Sequence, residues 1–281
     1  MTGSALRRRL KIEYDKQEGV RFFSEKALLF ALLEKRGLPR DYLILEGERE
    51  LPVAFCRSFL ADAAALLAGE PLQYYIGTAP FFGYEFETAP GVLIPRTDTE
   101  VLVREAARIA PVGARFFDFC CGSGCVGLAL LLARSDLSAV LFDLSGDALA
   151  LSRRNTARHA LTDRVSVEKL DVLSDAAREA VMECRPALIL ANPPYLTAEE
   201  MRALPENVKR EPPLALAGGE DGLLFYRAFA SLTRETGVPI LAEIGFAQAE
   251  PVFAILREND LTGTLFRDEG GRDRAVLICS Q

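Results

Sequence analysis

Ala187-Leu188-Ile189-Leu190-Ala191-Asn192-Pro193-Pro194-Tyr195 is the stretch whose reading decides the fold. Its short apolar run reads as a buried strand, and the prolines behind it forbid further pairing, so the chain must leave the sheet at that point. In open α/β sheets, the carboxyl edge of the strands is where ligands sit. Asn192 stands at that edge. Its side chain offers one carbonyl acceptor and one NH2 donor, and Pro193 has a carbonyl with no N–H of its own. Together the two oxygens can accept both hydrogens of a planar NH2 group. Asn-Pro-Pro also fits a plain polyproline turn, so the decision passes to the rest of the sheet.

Outward from that stretch, the chain after Arg115 alternates strand and helix, the pattern of a parallel sheet covered by helices on both faces. Phe116–Phe119 is the first strand, Cys120-Cys121-Gly122-Ser123-Gly124 a loop, and Cys125–Arg134 a helix. Val140–Asp143 follows as a strand, then a helix over Asp147–Arg158, then a strand from Val165 that ends at Asp171. Ala187–Ala191 and Pro239–Ile244 continue the sheet, and Gly263–Arg267 and Ala275–Cys279 close it. The expectation is an α/β domain over residues 97–281 with a Rossmann-like, seven-stranded sheet.

Residues 1–78 have a different character. Ser24 can cap a helix whose Leu28, Leu29, Leu32 and Leu33 share a face, with Gly37-Leu38-Pro39 as the stop. A second helix starts at Pro52 and carries Val53, Cys56, Phe59, Leu60, Ala63, Leu66 and Leu67 at three-and-four spacing. Nothing there suggests chemistry, and the segment reads as a small helical domain that packs on, or recognises, something else. Residues 79–96, with Phe81-Phe82-Gly83-Tyr84-Glu85-Phe86-Glu87, read as a β-hairpin linker. Thr97, Asp98 and Thr99 are the candidate caps of the helix that follows it.

The net charge of −7 over 281 residues disfavours a broad nucleic-acid surface. Arg7-Arg8-Arg9 runs into Leu10-Lys11-Ile12-Glu13 instead of an apolar segment, and the runs Ala27–Leu33 and Val126–Ala133 are too short to span a bilayer. A soluble, cytoplasmic protein without a membrane partner is expected. The six cysteines lack zinc or disulfide spacing and there is a single His159, so reduced thiols and no metal are expected.

Asp-x-x-x-Gly-x-Gly between the first strand and its helix lets backbone approach a ligand closely. Asp118, at the mouth of that loop, repels an anion and welcomes a cation. That favours S-adenosylmethionine, with its ammonium and sulfonium, over a nicotinamide dinucleotide. Asp143, ending the second strand, can accept from ribose hydroxyls. Asp171 can accept from an adenine amino group, with Val172 against the ring. Three acids at successive strand ends carry more than any one, since a lone Asp there is usually a turn residue.

These residues resemble the HemK-type release factor glutamine methyltransferases, and the likeness covers most of the chain. It is carried by Gly69-Glu70-Pro71-Leu72-Gln73-Tyr74-Tyr75-Ile76-Gly77, Leu93-Ile94-Pro95-Arg96-Thr97-Asp98-Thr99-Glu100 and Asn192-Pro193-Pro194-Tyr195. Glu211-Pro212-Pro213-Leu214-Ala215-Leu216, Gly218-Gly219-Glu220-Asp221-Gly222 and Glu243-Ile244-Gly245 add to it. The resemblance implies a class I methyltransferase fold and S-adenosylmethionine held by Asp118, Cys120, Cys121, Gly122, Ser123, Gly124, Asp143, Leu144, Asp171, Val172 and Asn192. It implies methylation of the side-chain nitrogen of a Gly-Gly-Gln glutamine in peptide chain release factors. Asn192, Pro193 and Tyr195 are the expected catalytic residues, and Pro194, Phe81, Phe82 and Arg96 further substrate contacts. Tyr195 and one of Phe81 and Phe82 are expected to stack on the amide. The family often has Gly where this chain has Cys120; a positive φ there would strain a cysteine by ~1–3 kcal/mol. Glutamine methylation of a ribosomal protein, nucleic-acid amino-methylation and a catalytically silent binding protein remain as alternatives.

Overall fold

A computed structural model describes residues 1–17 and 23–281. It contains two compact units, residues 1–78 with 205–210, and residues 79–204 with 211–281.

The first unit is helical, with Gly3–Asp15, Glu25–Glu34 and Val53–Leu67 as its main helices and the short Tyr42–Leu45 and Leu72–Ile76 between and after them. Ser24 caps the second of these by accepting from the Ala27 N–H at 3.1 Å. Pro52 sits one position ahead of the long helix and not within it. The core is leucine-rich, built on Leu6, Leu10, Leu28, Leu32, Phe59 and Leu66, each contributing roughly 1.5–3 kcal/mol on burial. One arginine joins the helices. Arg36 donates to the Leu32 carbonyl at 2.8 Å and to Asp62 Oδ2 at 2.7 Å, and Asp62 also accepts from the Tyr75 hydroxyl.

The second unit begins with a hairpin, β1 (Thr78–Phe81) and β2 (Tyr84–Glu87), turned by Phe82 and Gly83 at φ 50° and 79°. Positive φ at both turn residues suits a two-residue hairpin. The sheet proper contains β3 (Arg115–Phe119), β4 (Ser138–Asp143), β5 (Val165–Lys169), β6 (Leu188–Ala191), β7 (Ile240–Glu243), β8 (Leu261–Arg267) and β9 (Asp273–Ser280). Their order is β5-β4-β3-β6-β7-β9-β8, parallel from β5 to β7, with β9 antiparallel to both neighbours. This is the seven-stranded sheet expected.

Its strands are apolar on both sides because both sides are covered. Phe117, Phe119, Ile189, Ala191, Ile240 and Ala242 share one core, and Phe116, Leu188, Leu190 and Leu241 share the other. The chain runs outward from β3 through β4 to β5, then returns to the other side of β3 as β6. That reversal makes a crevice between the carboxyl ends of β3 and β6. Phe119 is in register with Ala191 there, so Cys120 and Asn192 leave the sheet at the same level. Among the described residues no helix is long and apolar enough to cross a membrane, and no His, Cys, Asp and Glu group could hold a metal ion.

Candidate active site

A cavity of about 550 Å³ opens at this crevice, within the size range of small-ligand pockets. The Cys120–Ser123 loop and Asp118 line it, as do Asp143 and Leu144 beyond β4 and Asp171 and Val172 beyond β5. Arg96, Thr99, Asn192 and Pro194 line it further along, with Pro212–Ala215 and Phe225.

The loop takes its shape from three positive φ angles, Cys120 at 57°, Gly122 at 56° and Gly124 at 79°. The strained conformation at Cys120 is therefore the one realised. Two anchors hold the loop from behind. Ser152 donates to the Gly122 carbonyl at 2.9 Å, and the fully buried Asn155 donates to the Ser123 carbonyl at 2.9 Å. Asn155 also accepts from the Glu87 N–H at 2.8 Å, tying hairpin to loop. Burial pushes the Cys120 and Cys121 thiols well up, and Cys125 to about 12. All three are neutral thiols at physiological pH, unsuited to act as nucleophiles.

Asp118 is 1 % exposed and lies deeper than a mouth position. Its Oδ2 accepts from Gly127 N–H at 2.9 Å, and no donor among the described residues reaches Oδ1. Burial pushes this carboxyl up to about 7, against the pull of the Gly127 N–H. A cation entering the cavity would restore its charge. Asp143 accepts from Gly122 N–H at 2.8 Å and Ser145 N–H at 2.9 Å, and burial raises its pKa as well. Asp171 is exposed and accepts from Leu173 N–H at 3.0 Å. The acids at the ends of β3 and β4 and the one just beyond β5 thus share one cavity.

At the other end, Asn192 donates through Nδ2 to Thr99 Oγ1 at 3.4 Å. Among the described residues no hydrogen bond is made to Asn192 Oδ1 or to the Pro193 carbonyl. Pro193 and Tyr195 do not line the cavity. The Tyr195 hydroxyl donates to Glu243 Oε1 at 3.2 Å, and its carbonyl accepts from Gln248 Nε2 at 3.0 Å. Gly218 packs directly on this segment, where an added Cβ would lie 2.6 Å from Tyr195 Cα.

Several site expectations need correction. Phe81 is 1 % exposed and packs edge-on to Phe86 inside the core, because the alternation of β1 turns it inward. Phe82 packs beside the same core and donates its N–H to Glu100. Neither ring lines the cavity, nor does Tyr195; the cavity's aromatic is Phe225. Thr99 occupies the cap position without a side-chain capping bond, its hydroxyl being taken by Asn192.

Two buried acids next to these groups carry no role in the sequence reading. Glu211, 3 % exposed, accepts from the Ile94 N–H at 3.1 Å and pairs with Arg96. Glu243, 2 % exposed, is pushed by burial up to about 7, with Thr99 and Arg274 beside it pulling the other way. The available signal was an acid within an apolar run: Glu243 follows Ile240-Leu241-Ala242.

Residues 85–215 match the family described as methyltransferase small domain, and residues 25–77 the one described as PrmC N-terminal domain. A release factor glutamine methyltransferase of Geobacter sulfurreducens is 36% identical over 267 residues, 92% of this chain and 89% of its own. One from Cereibacter sphaeroides is 37% identical over 231 residues, 80% of each chain. Among solved structures, the hMettl16 catalytic domain in complex with a MAT2A 3′UTR hairpin is 16% identical. It aligns over 71% of this chain and 76% of its own with a TM-score of 0.56, a likeness of fold alone. With relatives at this identity across most of its length, the chain belongs to the release factor glutamine methyltransferase family.

Proposed function

We propose that this protein methylates the side-chain nitrogen of the glutamine in the Gly-Gly-Gln motif of peptide chain release factors, with S-adenosylmethionine as donor. The observation that carries the reading is Asn192, which lines the cavity at the sheet's switch point with its carbonyl oxygen bonded by none of the described residues. The names of the relatives select the release factor over the ribosomal protein, and the net charge of −7 speaks against a nucleic-acid groove.

The residues present fit the donor. Asp118, with one oxygen that no donor among the described residues reaches, suits an ammonium; Asp143 and Asp171 suit ribose and adenine, and Leu144 and Val172 on the same lining would offer an apolar surface to the ring. When bound, S-adenosylmethionine supplies a methyl group on a cationic sulfur. The protein's part is orientation. A carboxamide nitrogen is a poor nucleophile because its lone pair is delocalised into the carbonyl, so its face must be presented to the methyl group. Asn192 Oδ1, on the cavity, accepts one of its N–H groups, and the carbonyl of the adjoining Pro193, a buried residue just behind the lining, is the acceptor available for the other. Leaving either unpaired in a dry site costs ~1–3 kcal/mol, which selects NH2 over a carboxylate. Arg96, held by Glu211, borders the approach.

The helical unit is assigned to recognition of the protein substrate, and the reaction to the cytoplasm. Removing residues 1–78 should then weaken methylation of an intact release factor far more than that of a short Gly-Gly-Gln peptide. Mass spectrometry of release factors and ribosomal proteins incubated with enzyme and donor tests the substrate. One added methyl on the release factor glutamine is expected, and methylation confined to a ribosomal protein or to nucleic acid would refute it.

A further inference from the structure

An asparagine side chain fits a site equally well either way round, because its oxygen and nitrogen differ little in size. For a site that grips an NH2 group the choice decides everything. With Oδ1 toward the substrate Asn192 accepts from a carboxamide; flipped, it would donate to a carboxylate.

The neighbours of Asn192 contain a device that makes this choice. Thr99, 2 % exposed, receives Asn192 Nδ2 at 3.4 Å. A threonine hydroxyl has one proton to give, and if that proton is committed elsewhere the oxygen can only accept. Behind Thr99 stands Glu243, 2 % exposed, whose Oε1 takes the Tyr195 hydroxyl at 3.2 Å. Its Oε2 is buried with no hydrogen-bond partner among the described residues. An ionised carboxylate only accepts; burial pushes Glu243 up to about 7 while Thr99 and Arg274 pull the other way, so this form prevails above that pH, where the test is run. Thr99 is the hydroxyl beside this carboxylate that favours its ionised form, so its proton is a donor within reach of the unpartnered Oε2.

We infer that Thr99, backed by Glu243, is a positioning pair that fixes the Asn192 amide with its carbonyl oxygen toward the substrate, and so sets the preference for glutamine over glutamate. The inference rests on the proposed glutamine methylation. Tyr195, whose hydroxyl holds the other carboxylate oxygen, belongs to the same support; this places its role behind the site.

The test uses the full-length protein, S-adenosylmethionine, a synthetic Gly-Gly-Gln peptide and its Gly-Gly-Glu counterpart as a competing ligand. Thr99→Val keeps the shape and removes the acceptor. It should lower kcat roughly tenfold to a hundredfold, the effect of one misplaced buried hydrogen bond, with donor affinity close to wild type and Tm lowered by only a few degrees. The preference for the glutamine peptide over the glutamate peptide should narrow by a similar factor. Thr99→Ser should restore most of the rate and preference. Glu243→Gln, which can turn a donor toward Thr99 and release its proton to Asn192, should narrow the preference in the same direction. If Thr99→Val fails to fold, Glu243→Gln and Thr99→Ser decide: an unchanged peptide preference in Glu243→Gln overturns the inference. Wild-type rate and preference in a folded Thr99→Val also overturn it, with the glutamine reading intact. A wild-type protein that methylates no glutamine overturns both.

Discussion

Asp118 offers a prediction whose size follows from its burial. Its carboxyl is pushed from 3.8 up to about 7 in the free protein. A carboxyl raised on folding is held neutral, so its effect on stability is absent below the unfolded pKa and becomes a penalty as pH rises toward the folded one. A shift of this size is worth on the order of 4 kcal/mol once pH exceeds both values. Asp118→Asn, still able to accept from Gly127, should therefore raise Tm at pH 8 and leave it nearly unchanged at pH 4. Binding has the opposite sign. A ligand ammonium requires the ionised acid, of which roughly one part in eleven is present one unit below the pKa, so donor affinity should fall about tenfold per unit below pH 7. Above about pH 8 the ligand's own amino group loses its proton, and affinity should fall again. Calorimetric titration of S-adenosylmethionine across about pH 5.5 to 9 reads this curve, and Asp118→Asn should flatten its acid limb and weaken binding roughly tenfold to a hundredfold at its maximum. Glu243 also titrates near 7 but does not line the cavity, so the substitution separates the two. An affinity independent of pH below 7, or an acid limb that survives in Asp118→Asn, would refute the reasoning.

Three further outcomes are expected. Gly127→Ala would place a Cβ 2.8 Å from Asp118 Oδ2 and 3.2 Å from its Cβ, costing ~1–3 kcal/mol by overpacking; denaturant titration should show the loss and calorimetry a weaker donor. Asn155→Leu leaves the Glu87 N–H and the Ser123 carbonyl without the partners they have at 2.8 and 2.9 Å, at ~1–3 kcal/mol for each group buried unpaired, and should lower both Tm and donor affinity. Cys120→Gly relieves the positive φ but adds unfolded-chain entropy, so its stability should stay within ~1 kcal/mol of wild type. Cys120→Val, β-branched at the same φ, should be the less stable of the two by urea denaturation.

Much of the fold was legible because buried parallel strands are written as short apolar runs between glycines, prolines and acids. Phe116–Phe119 and Ala187–Ala191 both have that form, and the acids Asp118, Asp143 and Asp171 stand where such runs end. What local pattern cannot show is which groups the fold brings together across the chain. Glu211 meets Ile94 from 117 positions away, and Glu243 reads as one more residue of a buried strand until Tyr195 and Thr99 are placed against it. The aromatics illustrate the converse. Phe81 and Tyr195 look available because they flank a turn, yet strand alternation sends one ring into the core, and the other's hydroxyl is held by a buried acid.

The most direct test of the account is single-turnover methyl transfer to an intact release factor by wild type and Asn192→Ala, with the modified residue located by mass spectrometry and donor affinity measured alongside. The account predicts one methyl on the Gly-Gly-Gln glutamine for wild type, and almost none for the variant despite donor binding within a few fold of normal. Transfer by Asn192→Ala at the wild-type rate, or a methyl found on any other group, would contradict it.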